Sequence, residues 1–259
     1  MVQMPREAHM TGKDLMGMVQ LRPEDVGKYA IVPGPRERAD AIVEKLENPV
    51  KNFSFMEYTM HTGDFDGIRL TTINGGRFAP DTAITTEILC NAGVKAMIRV
   101  GSCGALREDI KVGDIIVVDT ALKGDGVTRY YVADDFVPRA DEALRDVLQK
   151  TAEASLEQNG LIENKVHTGP CWTTDAILRE TREHVGKAVE QGAIAVDMVT
   201  SAFLTIAEQY NIPAACILAV SDNVATGEMG FMNPDYYMAE TAIINIALDV
   251  VKQLEQSKV

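Results

Sequence analysis

The feature that most constrains this chain is a series of short runs that are apolar on both faces, each followed by a stretch of helical periodicity. KYAIVPG (28–34), IRLTTING (68–75), AMIRVGS (96–102), DIIVVDT (114–120), AIAVDM (193–198) and AACILAVSD (214–222) read as strands. A strand with one wet face alternates apolar with polar residues, so strands apolar on both sides require helices on both faces of their sheet. Helical spacing fills the intervals 35–46, 81–93, 141–158, 200–211 and 239–256. In the last of these, Ile243, Ile246, Ala247, Val250 and Leu254 form one apolar stripe. The alternation predicts a three-layer α/β fold.

The 259 residues carry no Pro/Gly/Ser-rich linker, so one domain over 1–259 is expected. A net charge of -13 argues against nucleic acid or an anionic membrane as partner, because both need basic surface. Any anion this chain binds must therefore be held by a local cluster of cations. No apolar run approaches the roughly 20 residues that cross a bilayer. The opening MVQMPREAHMTGKDLMGMVQ lacks the apolar core of a secretory signal, which gives the cytoplasm as the expected location. Cys90, Cys103, Cys171 and Cys216 lie far apart with no CxxC pair and are expected to be reduced. Neither the four histidines nor any glycine motif has the spacing of a metal, P-loop or dinucleotide site.

In sheets of this kind ligands gather at the carboxyl ends of the strands, where Gly34, Gly75, Gly101 and Asp222 are expected to turn the chain. MIRVGSCGAL (97–106) places Arg99 two residues before what reads as a Gly-Ser-Cys-Gly turn. A guanidinium there, with Ser102 and the amides around Gly101 and Gly104, suits a phosphate or sulfate. The alternative is a structural ion pair with a buried acid. VPGPRERAD (32–40) puts Gly34 before a helix whose first turn carries Arg38, which is either a second anion cradle or a plain connection with a solvated arginine. Asp222 leaves an apolar strand and is a candidate general acid or a turn residue, with Asp197 and Asp175 similarly placed. The single tryptophan, Trp172, is placed either to stack on a flat ring or to pack.

The stretches VQLRPEDVGKYAIVPGP, MIRVGSCGALREDIKVGDIIVVDTALKGDGVTRYY and AIAVDMVTSAFLTIAEQYNIPAACILAVSDN resemble the nucleoside phosphorylases of the uridine phosphorylase and hexameric purine nucleoside phosphorylase family. FMNPDYYMAETAIINIAL resembles the uridine phosphorylase branch. The resemblance implies a mixed central sheet flanked by helices and cleavage of an N-glycosidic bond by inorganic phosphate, the co-substrate, with no cofactor or metal. Gly34, Arg38, Arg99 and Ser102 match the phosphate positions, and Asp222 the acid that protonates a leaving purine. Met198 matches the methionine lining the ribose, with Asp197, Val199, Cys103 and Trp172 as further candidate sugar and base contacts. The implied partners are a nucleoside and phosphate, together with further copies of the chain in a dimer or hexamer that shares its sites.

Departures from the family pattern cluster at the sugar. The motif Glu-Met-Glu is Asp197-Met198-Val199 here, so the second carboxylate that grips ribose hydroxyls is absent. Met56 stands where a neighbouring subunit supplies an arginine to the phosphate, and Met18 near the position of a histidine for the 5' hydroxyl. Pro35 replaces the aspartate of PGDP, and GGRFAPD introduces Arg77, either a substitute for the missing charge or a surface arginine. The Gln and Arg pair that clamps a pyrimidine is not found between 171 and 190. The leading reading is a uridine phosphorylase-like enzyme. A purine phosphorylase, a water-using nucleosidase and a non-catalytic binding or storage relative remain alternatives.

Overall fold

The computed structural model describes residues 8–257. Ten strands form one mixed sheet: β1 (Tyr29–Pro33), β2 (Glu47–Phe55), β3 (Tyr58–Phe65), β4 (Ile68–Ile73), β5 (Ala96–Ala105), β6 (Ile115–Gly124), β7 (Val166–Thr174), β8 (Ala195–Asp197), β9 (Ala214–Asn223) and β10 (Glu228–Met229). Their order is β10-β9-β6-β7-β8-β5-β1-β4-β3-β2, and β5 also pairs with β9. That extra pairing closes β5, β9, β6, β7 and β8 into a ring, while β1, β4, β3 and β2 extend from it as an open wing. Seven helices surround the sheet: α1 (Gly12–Met18), α2 (Arg36–Val43), α3 (Ala79–Ala92), α4 (Glu142–Ser155), α5 (Arg182–Glu190), α6 (Thr200–Gln209) and α7 (Pro234–Gln256).

All five β1 residues are buried, as are Ile115–Val118 of β6 and Ala214–Val220 of β9, so the doubly apolar runs are doubly covered strands. Each fully buried Ile or Leu on these strands contributes about 2 kcal/mol of transfer free energy. In α7 the stripe of Ile243, Ile246, Ala247 and Val250 is wholly buried, against α4 and β9. That helix begins at Pro234, five residues before the periodic stretch, because the Asn233 side chain accepts from the Asp235 amide and Pro234 suits the first helical position.

The sequence pattern missed several elements, each for a physical reason. Strand β2 is an exposed edge whose only fully buried side chain is Phe53, so it carries little apolar signal. Strand β7 contains Gly169 and Pro170, and α5 buries only Ala188. One expectation is corrected outright. Gly101-Ser102-Cys103-Gly104 is not a turn but the far half of β5, and Asp222 likewise lies inside β9. Parallel pairing with β9 runs from Met97↔Ala214 to Ala105↔Asn223, with an irregularity between Cys103 and Gly104 where β5 bends and passes to β8. Glycines that look like turn formers here serve close approach instead.

Candidate active site

The bent half of β5 floors a cavity of about 340 Å³ whose walls come from β1, α2, β8, β9, α7 and the loop between β7 and α5. Two glycines make room for its chemistry. A Cβ on Gly101 would sit 3.1 Å from Nη2 of Arg99 and 2.7 Å from Leu218, so only glycine lets the guanidinium fold back along its own strand. At Gly104, which is paired with Asp222, a Cβ would lie 3.0 Å from Oδ2 of that aspartate. The two glycines thus make space for a cation and for an acid along the same strand.

Arg99 is 4% exposed, and desolvation pulls its pKa down against the opposing charge of Asp197. Its Nη2 lies 3.8 Å from Oδ2 of Asp197, while Nε and Nη1 are buried without a hydrogen-bond partner. Two buried guanidinium nitrogens with no acceptor for their N–H groups cost several kcal/mol unless an anion completes them. Arg38, on the first turn of α2, is also buried; its Nη1 donates to the Val100 carbonyl at 3.2 Å and its Nη2 to Oε1 of Glu240. The Tyr236 hydroxyl donates to the same oxygen at 2.9 Å and neighbours Ser102, and burial pushes that phenol up to about 12. Gly34 and the exposed Arg77 complete this end. Glu240 and Tyr236 were not foreseen, although their i, i+4 spacing on α7 places them on one face.

Asp197 is almost fully engaged. Its Oδ1 accepts from the Thr173 hydroxyl at 2.9 Å and from the Val199 and Thr200 amides at 3.1 Å, and its Oδ2 from the Thr200 hydroxyl at 2.7 Å. Such a carboxylate fastens the start of α6 and steadies Arg99, leaving little capacity for a sugar. Met198 and Val199 follow it on the cavity wall, Val199 only 2% exposed. Cys103 lines the floor with its thiol pushed well up by burial, so it is not a nucleophile.

At the opposite end Asp222 is half-buried and its Oδ1 accepts from the Ser221 hydroxyl at 2.7 Å. Ile177 and Glu180 face it from the loop before α5. Trp172 does not belong to this site: it lines a separate cavity with Leu122, His184 and Lys187. Strand alternation explains this, because Thr173 turns inward to Asp197 and its neighbour Trp172 must turn outward, where it packs on Leu106, Ala188, Ala193 and Val196. Asp175 accepts from the Gly126 amide at 2.7 Å and is a loop anchor. Met18 and Met56 are 55% and 74% exposed and lie outside the cavity within one chain. Among the described residues no cluster of three or more His, Cys, Asp or Glu is arranged to hold a metal, and no helix is long and apolar enough to cross a membrane.

Comparison with known proteins identifies the family. The family model described as the phosphorylase superfamily matches residues 28–251. A DeoD-type purine nucleoside phosphorylase of Bacillus cereus is 32% identical over 238 residues, covering 91% of this chain and 98% of the relative. Its counterpart from Bacillus thuringiensis (strain Al Hakam) matches to the same extent. Among solved structures, uridine phosphorylase from Vibrio fischeri superposes with a TM-score of 0.77 at 25% identity, over 93% of this chain and 99% of that one. A fold, a cavity and relatives that agree over nine-tenths of the length place the chain in the phosphorylase superfamily, as an enzyme of its nucleoside phosphorylase group.

Proposed function

We propose that the protein cleaves the N-glycosidic bond of a purine nucleoside with inorganic phosphate as co-substrate and no further cofactor. The observation that carries this reading is the pair of unpartnered nitrogens, Nε and Nη1, on buried Arg99 at one end of the cavity, with Asp222 at the other. Phosphate held by Arg99, Arg38, Ser102 and the Gly34 amide would be oriented toward C1' of the sugar. As the C1'–O bond forms, the electron pair of the C1'–N bond passes to the base, and Asp222 supplies a proton to it. The proton that phosphate loses passes to solvent, and Asp222 takes one back from solvent, which regenerates the acid. The base end favours a purine over uridine because Ile177, Ser221 and Asp222 occupy it and a Gln–Arg clamp does not.

The sugar lies between these ends against Met198 and Val199, which supports a substrate that does not need both ribose hydroxyls gripped. Hydrolysis is the second reading. Its specific support is that Glu240 and Asp197 already neutralise part of the guanidinium charge, which an incoming phosphate must share. The exposed Met18 and Met56 suit contact with further copies of the chain, so we also expect a homo-oligomer, in the cytoplasm. The test is a panel of purine and pyrimidine ribosides and deoxyribosides, with and without phosphate, followed by chromatography of the free base. Phosphate-dependent release from purine substrates is the expected result. Release that ignores phosphate would establish the hydrolytic reading, and no release at all would overturn both.

A further inference from the structure

Glu180 lines the cavity, takes no part in the reaction proposed above and, unlike Asp197 and Glu240, is not held by donors of its own. It follows a short 3₁₀ turn, Ile177–Arg179, and precedes Thr181, whose side chain caps α5. The segment is tied down: the Arg179 carbonyl accepts from the Thr181 amide at 2.8 Å and lies 2.8 Å from Nδ1 of His184. Glu180 is half-buried, lines the cavity, and has no hydrogen-bond donor or cation as partner among the described residues. Burial, aided by the negative charge of Asp222, pushes its carboxyl up to about 7. No guanidinium offsets that charge, so Glu180 belongs to the Asp222 end of the cavity and not to the anion end.

The other ionisable groups facing the cavity are otherwise occupied. Guanidinium as a group does not titrate near neutrality, which sets aside Arg38, Arg77 and Arg99. Cys103 and Tyr236 are pushed up by burial. Asp197 and Glu240 are bound to their own donors. Glu180 and Asp222 remain as two carboxyl groups sharing one end of the cavity.

We propose that Glu180 is the specificity-determining acid of the base end, its neutral carboxyl donating a hydrogen bond to a carbonyl oxygen of the leaving base beside the ring nitrogen served by Asp222. This rests on the cavity being the nucleoside site. A neutral carboxyl donates to a carbonyl, as in an oxopurine; the carboxylate can only accept, so it repels that oxygen and takes an N–H from an aminopurine instead. The site then prefers an oxo-base below about pH 7 and loses that preference above it. Asp222 can protonate either base and gives no such inversion.

The experiment is calorimetric binding of free hypoxanthine and adenine to the whole protein at pH 6 and pH 8, beside the inosine to adenosine ratio of kcat/KM over the same range. We expect the hypoxanthine to adenine affinity ratio to fall about tenfold from pH 6 to pH 8 in the native protein. In Glu180→Gln, whose amide both donates and accepts at every pH, the ratio should stay flat. A flat ratio in the native protein overturns the proposal, which holds whether or not the variant folds. A pH-dependent ratio that survives in Glu180→Gln also overturns it, because the dependence then belongs to a group other than Glu180. If the bases bind with the expected ratio and no nucleoside is cleaved, the phosphorolytic reading fails while this assignment of Glu180 stands.

Discussion

The anion end and the sugar-and-base end of the one cavity are built by different rules. At the anion end the buried polar groups are anchored in regular structure, Arg38 on the first turn of α2, Arg99 and Ser102 on β5 and Glu240 on α7, with Gly34 and the exposed Arg77 in the adjoining loops. The Arg38 and Arg99 guanidinium groups are over nine-tenths buried, and a glycine two residues on gives Arg99 its space. At the other end the wall opposite Asp222 is the loop carrying Ile177 and Glu180, Ile177 is 57% exposed, and Val199 lines the cavity between the two ends. The difference teaches where this chain has kept a fixed electrostatic device and where it has left recognition to shape and to a few polar contacts. Rigid placement matters most for the cation, because a desolvated charge stabilises an oxyanion without any reorganisation.

Removing the anion device is the strongest way to break the contrast. In Arg99→Met, phosphate-dependent base release should fall about 10³-fold, the scale of losing a dedicated oxyanion donor. The same change removes a desolvated guanidinium whose Nε and Nη1 lack partners, but leaves buried Asp197 without its nearby cation, held by its four donors. Thermal unfolding should therefore shift by no more than a few degrees, because the relieved desolvation of the guanidinium offsets the loss of its attraction to Asp197. A large fall in melting temperature alongside the lost activity would show that Arg99 is structural and would remove the distinction between the two ends.

The base end should respond less. Asp222→Asn is expected to lower kcat/KM about 10²-fold with an ordinary purine nucleoside, the lower range for a general acid. A 7-methylated purine nucleoside carries its positive charge before the bond breaks and needs no proton, so steady-state assays should find the variant nearly unimpaired on it. Equal losses on both substrates would mean that Asp222 orients the base without protonating it.

How much of this was legible in the sequence follows from the same contrast. Arg38 in the first turn of a helix, and Arg99, Ser102 and Asp222 within the apolar runs of β5 and β9, stand out as polar groups in local patterns, and the structure brings all four to one cavity. The doubly apolar runs likewise announced β1, β5, β6 and β9. Trp172 was misplaced because stacking and packing look alike until strand parity is known, and parity came from Thr173 bonding Asp197. The Gly-Ser-Cys-Gly run was misread as a turn because glycine marks a bend and a close approach with the same letter. Glu180, Tyr236 and Glu240 gave no warning, since a polar residue in a loop or on a helix face acquires meaning only from a wall brought to it by distant chain.

The smallest effect tests the sugar position between the two ends. Val199 immediately precedes α6, its amide donating to Oδ1 of Asp197 at 3.1 Å, so the backbone is fixed by a neighbour and not by its own side chain. A glutamate there can keep that amide contact while its carboxylate enters the cavity and accepts from ribose hydroxyls. One such charged hydrogen bond is worth about 1.5 kcal/mol, so Val199→Glu should raise kcat/KM on ribosides about tenfold. Burying a carboxylate beside Asp197 costs stability, which lowers the melting temperature and caps the gain. On 2',3'-dideoxyribosides, which offer no hydroxyls to accept from, the same variant should gain nothing or lose activity. Equal improvement on both sugars would show that the valine was limiting shape and not hydrogen bonding, and the sugar site would then belong with the base end as a region read by packing alone.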